Sequence, residues 1–154
     1  MAYYINPLKE LDGFLGGSLK FGQSVHEVRG IVGGKFKSFV RGARLADLGD
    51  RHPSDIYPEI GVICYFDIAG NLEAVEFSNE ANVVLAGKAV FDFAGREAIS
   101  FLKELDNSIE IDADGATSYN LSLGIWAPEI GNDEYASVES FLAGRAGYYD
   151  VLRQ

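Results

Sequence analysis

Acidic side chains dominate the chemistry open to this chain. Its 23 Asp and Glu outnumber 13 Lys and Arg, for a net charge of -10. Two stretches combine them with aromatic rings: Asp47, Asp50, Asp55 and Glu59 around Tyr57, and Glu110, Asp112 and Asp114 ahead of Trp126 and Tyr135. Carboxylates act as acid-base pairs, as metal ligands, or as a negative surface that steers a basic partner. Spacing separates these roles. Glu110, Asp112, Asp114 and Gly115 fall at positions one, three, five and six of a calcium loop, but the closing twelfth position, which needs a bidentate Glu, is Leu121. The segment reads instead as a polar Asp-Gly turn between strands.

Other reactive arrangements fail in the same way. His26 and His52 stand alone and Cys64 has no CxxC partner, so no metal-ligand pattern exists, zinc included. Gly30 to Lys35 imitates a phosphate loop, yet it is one residue short and Phe36 stands where Ser or Thr would hold magnesium. There is no G-x-S-x-G elbow, and Cys64 lies inside the apolar run Val62-Ile63-Cys64-Tyr65-Phe66, so nucleophilic catalysis has no foothold. Glu73 and Glu76 lie on opposite faces of one strand, so at most one is buried. A buried Glu76 would have a raised pKa unless a cation met it, and a solvent-facing Glu76 is the plainer alternative. No catalytic set and no cofactor are expected, and an enzyme whose carboxylates pair only in the fold stands as a further alternative.

Binding fits these residues better. Tyr and Trp are favoured interface anchors, and negative charge speeds docking onto a basic surface while repelling phosphate backbones and anionic lipids. The expected contact residues are Asp47, Asp50, Asp55, Tyr57, Glu59, Asp112, Asp114, Trp126 and Tyr135. Nucleic acid and membrane are not expected partners. Taken singly, each of these residues has ordinary core or surface placement as its alternative.

The elements that must position them follow from pattern. At 154 residues one domain and one core suffice. Ser24 and Glu27 have capping-box spacing, which predicts a helix starting at Ser24, with Val25, Val28 and Val32 on one face and Gly33-Gly34 at its end. Phe36 to Val40 reads as a strand and the polar Arg41 to Pro58 as a long loop. Gly61 to Phe66 and Leu72 to Phe77 read as a hairpin joined through the glycine-containing connection Asp67-Ile68-Ala69-Gly70-Asn71. Short apolar runs flank Gly87, and a second helix spans Phe93 to Leu105 with Asp92 as its cap. Strands are expected at Ser108 to Asp112, Asn120 to Trp126 and Ser137 to Leu142.

Both halves thus run helix, connector, hairpin. Tyr57 to Phe77 matches Tyr119 to Phe141 in element order, through either internal duplication or one binary pattern used twice. The predicted fold class is α+β: a mainly antiparallel sheet with two helices packed on one face, in a single domain over residues 1–154. The lone cysteine excludes an intrachain disulfide and points to a reducing compartment. Met1 to Gly17 lacks a basic segment followed by an apolar run, so cytoplasmic residence is expected.

Gly17-Ser18-Leu19-Lys20-Phe21-Gly22-Gln23-Ser24-Val25-His26-Glu27-Val28-Arg29, the hairpin Gly61 to Phe77, and Leu85-Ala86-Gly87-Lys88 before the second helix resemble small bacterial immunity proteins paired with polymorphic toxins. So do Leu123-Gly124-Ile125-Trp126-Ala127-Pro128 and Gly147-Tyr148-Tyr149-Asp150. The resemblance implies an antitoxin that neutralises a basic toxin domain by one-to-one binding and is not an enzyme. The order of glycine, capped helix and hairpin is also similar to the BamE-like outer-membrane lipoprotein fold, although the lipidated cysteine of that family has no counterpart here. A small-ligand-binding or housekeeping protein without catalytic activity is the alternative function. Oligomeric state and the identity of the toxin or ligand stay open.

Overall fold

A computed structural model describes residues 1–40 and 52–153. Three strands open the chain: β1 (Ala2–Asn6), β2 (Glu10–Phe14) and β3 (Gly17–Lys20). Then come helix α1 (Val25–Val32), β4 (Lys37–Phe39), β5 (Ser54–Tyr57), β6 (Val62–Phe66) and β7 (Leu72–Ser78). The second half holds β8 (Asn82–Leu85), β9 (Lys88–Ala89), a 3-10 turn (Val90–Asp92) and helix α2 (Gly95–Leu105). It ends in β10 (Glu110–Asp112), β11 (Gly115–Ser118), β12 (Leu123–Trp126), β13 (Ser140–Gly144) and a 3-10 turn at Asp150–Arg153.

Two sheets form among the described residues. The larger runs β10-β11-β12-β13-β7-β6-β5-β4, antiparallel at every pairing, and the smaller runs β3-β2-β1-β8-β9 with one parallel pair, β1 and β8. The α+β class and the mainly antiparallel character are as expected from the sequence. The weight of sheet over helix is greater than the sequence pattern suggests.

The period-two alternation of the large sheet sorts its residues into two rows. Tyr57, Val62, Phe77, Phe141, Ile125 and Ala116 lie in register on neighbouring strands and are all buried. Tyr3 ties this inner row to the small sheet, its ring centroid lying 4.7 Å from Phe14 and 5.5 Å from Phe77. Val28 and Val32 of α1 and Ala98 and Leu102 of α2 join the same core.

Local chemistry explains both helix starts. At α1 the Glu27 amide donates to the Ser24 hydroxyl (3.2 Å) and the Ser24 amide to the Glu27 carboxylate (3.4 Å), completing the predicted capping box. Gly33, at φ 68°, ends the helix with its amide on the Arg29 carbonyl. At α2 the cap is Ala94, which makes no side-chain hydrogen bond, while the predicted cap Asp92 ends the preceding 3-10 turn. The chain tightens into that turn and re-extends through Phe93 before α2 begins, which moves the start past Asp92.

The predicted Arg41–Pro58 loop is also corrected at its end, where Ser54–Tyr57 forms β5 between β4 and β6. Polar residues hid this strand, because Ser54 and Asp55 are buried inside it. The hairpin of β6 and β7 and the strand β4 lie where pattern placed them, and the short runs flanking Gly87 form the strand pair β8 and β9. The three later predicted strands begin two to three residues further on, at Glu110, Leu123 and Ser140.

Candidate functional site

The second row of the large sheet turns away from the core. Ile56, Ile63, Glu76, Leu142, Gly124 and Thr117 lie in register across β5, β6, β7, β13, β12 and β11, and each is only half-buried. The next row places Trp126 opposite Ser140 and Ser140 opposite Ser78. A groove of about 510 Å³ runs over this face, with Glu76, Asp112, Asp114, Trp126, Leu142 and Tyr149 among its walls. It continues into a second hollow over Ile56, Ile63 and Ser78.

Hydrogen bonds hold two of the groove's acids, Glu76 and Asp112. Glu76 accepts a hydrogen bond from the Tyr65 hydroxyl at 2.6 Å, which fixes the carboxylate in the middle of the sheet. The Asp112 carboxylate accepts the Asp114 amide at 2.7 Å, forming the Asp-Gly turn between β10 and β11 and placing both acids on the rim. Tyr149 reaches the groove from the tail and rests on Gly124, where a methyl group would overlap its hydroxyl. Burial raises the Tyr149 pKa, with the fields of Tyr148, Glu76 and Tyr119 adding to it, so the ring remains a neutral hydroxyl. The tail is held by Arg153, whose guanidinium lies 3.6 Å above the Tyr119 ring.

The predicted contact residues separate into groups. Asp112, Asp114 and Trp126 come together at this groove, and Trp126 is 50% exposed. Tyr135 is exposed on the turn between β12 and β13 and does not line the groove. Glu59 is exposed beyond β5, at the mouth of a different, smaller pocket. Asp55 and Tyr57 face the interior. The Asp55 carboxylate has 0% exposure and takes two hydrogen bonds from Arg29 (2.8 and 3.0 Å) and one from Ser38 (2.8 Å). That pairing clamps α1 to β5 and β4, so in this fold Asp55 is a structural anchor. Asp47 and Asp50 lie outside the described residues.

Several groove residues carried no readable signal. Ile56, Ile63 and Leu142 look like ordinary strand residues, and only the register of the complete sheet shows that they share the outer face with Glu76. Glu76 itself sits on the wet side, opposite Val75 and Phe77, and the more buried of the two glutamates is Glu73, with Arg145 3.9 Å away. No protein family, curated protein or solved structure matches the chain. Among the described residues no helix is long and apolar enough to cross a membrane.

Proposed function

We propose that the chain acts by stoichiometric binding of a basic protein domain, as an immunity protein neutralises a toxin, through the outer face of its large sheet. One observation carries the reading: a half-exposed Trp126 stands at a groove that mixes apolar surface with three carboxylates, Glu76, Asp112 and Asp114. Interfaces of this kind use an aromatic anchor for affinity and charge for steering. The net charge of -10 supports a cationic partner and disfavours nucleic acid. The single buried thiol, Cys64, fits a reducing, cytoplasmic setting.

We also read the two halves as an internal duplication, with both helices on the inner side of the sheet. The strand order supports this. β4 to β7 follow α1 and β10 to β13 follow α2, and the two sets meet at the β7–β13 pair, where Phe77 stands opposite Phe141.

Co-expression with a toxin-like C-terminal domain encoded beside its gene tests the functional reading, with growth rescue and a one-to-one complex as the expected result. Trp126 is the chain's single tryptophan, so its emission should shift as the partner covers it. Trp126→Ala should weaken the complex at least about 30-fold, the cost of an interface hot spot of about 2 kcal/mol. A complex that forms with unchanged emission and full affinity in the variant would move the interface elsewhere.

A further inference from the structure

A second, smaller pocket opens on the other side of the large sheet. It holds about 170 Å³ and is lined by Tyr3 and Phe14 of the small sheet, Val32 at the end of α1, Tyr57 of β5, and Ile60. Its charged lining residues, Lys35 and Glu59, are exposed and belong to the rim, as does the exposed Leu15. The interior is therefore mainly apolar, its polar groups being the tyrosine hydroxyls and the backbone at Gly33 and Gly34.

Tyr57 is 1% exposed, and its hydroxyl has no hydrogen-bond partner among the described residues. Such a group costs about 1–3 kcal/mol when left unmet, so buried hydroxyls are nearly always satisfied. The inner-row position of Tyr57, in register with Val62 and Phe77, turns it to the side on which Tyr3 and the pocket lie. Burial above all, then the fields of Cys64 and Asp55, raises its pKa against the opposing pull of Arg29, so it stays a neutral donor. A lone water would need two to four polar partners, and the apolar side chains of Phe14, Val32 and Ile60 supply none. A dry cavity of about 150 Å³ is large enough for benzene.

We propose that this pocket binds an uncharged molecule of about one ring carrying a single hydrogen-bonding oxygen, its ring against Phe14, Val32 and Ile60 and its oxygen on the Tyr57 hydroxyl. Charged ligands are excluded because the interior has no counter-ion for them. The site is separate from the outer groove and stands whether or not a protein docks there.

Phenol and toluene are suitable probes, titrated into the full chain and followed by protein-observed NMR at Val32 and Ile60. Phenol should bind and toluene should bind more weakly. Tyr57→Phe should lower phenol affinity by between about 2-fold and 10-fold, the range of one net hydrogen bond, and leave toluene unchanged. Leu15→Trp, at an exposed position on the rim, should block both without disturbing the fold. Absence of shifts with either probe, as a lone trapped water would give, overturns the proposal. So does phenol binding that both variants leave intact.

Discussion

Removing either partner of the Arg29–Asp55 pair should destabilise the protein, but by unequal amounts. The Asp55 side chain has no solvent exposure, whereas that of Arg29 is 36% exposed. Arg29→Met strands a buried carboxylate with the Ser38 hydroxyl as its remaining side-chain partner. An uncompensated buried charge costs about 3–5 kcal/mol. Asp55→Asn removes the charge, keeps the shape, and leaves a guanidinium that can turn into water or stay over the Phe36 ring, 4.3 Å away. That loss is about 1–2 kcal/mol, one or two hydrogen bonds. Each kcal/mol moves the melting temperature of a domain this size by about 2–4 °C, and the midpoints of the two costs differ by about 2.5 kcal/mol, so the two variants should melt about 5–10 °C apart. The double variant should be more stable than Arg29→Met alone. Thermal and urea melts of the four proteins decide this. If Asp55→Asn proves as costly as Arg29→Met, burial of the carboxylate is not what makes the pair matter, and the reasoning fails.

Asp106, just past α2, gives a pH prediction. Burial pushes its carboxyl up, but hydrogen bonds from Ser108, Ser118 and Asn120 outweigh this and hold its pKa down to about 2. A depressed pKa stabilises above the unfolded value of about 3.9 and ceases to do so as pH falls through the folded one. The stability gap between the wild-type chain and Asp106→Asn should therefore close between about pH 4 and pH 2, and a gap constant over urea melts in that range would refute the assignment. Two glycine substitutions should have opposite signs. Gly124→Ala displaces Tyr149 from its seat and should cost about 1–3 kcal/mol and speed proteolysis of the tail. Gly30→Ala, exposed within α1 and facing open space, should gain up to about 1 kcal/mol in the same melts.

Fold elements were legible where local chemistry decides them. The α1 cap needs only Ser24 and Glu27 three residues apart, and the β6–β7 hairpin needs only two β-rich runs around a glycine turn. Elements set by distant partners were not. β5 is written in polar residues because Arg29, from another element, neutralises Asp55. The first three strands show weak alternation, and they are strands because Tyr3, Leu11, Phe14 and Leu19 find the common core. Propensity is a weak prior beside such tertiary burial.

The same logic separates the candidate residues. Acid and aromatic types mark binding surfaces on average, but type says nothing about which side of a sheet a residue occupies, and a shift of one position reverses the answer. On β5 the alternation puts Ile56 outside and its neighbours Asp55 and Tyr57 inside, so the apolar residue faces the outer hollow and the acid and the ring face the core. At the sheet's other end Asp112 and Asp114 sit at a turn, where side chains reach solvent whatever the register, and there residue type was a sound guide. Turn residues thus reveal their exposure in sequence, while strand residues reveal it once both neighbouring strands are known. The outer face and the Tyr57 pocket lie on opposite sides of one eight-stranded sheet, and register alone distinguishes them.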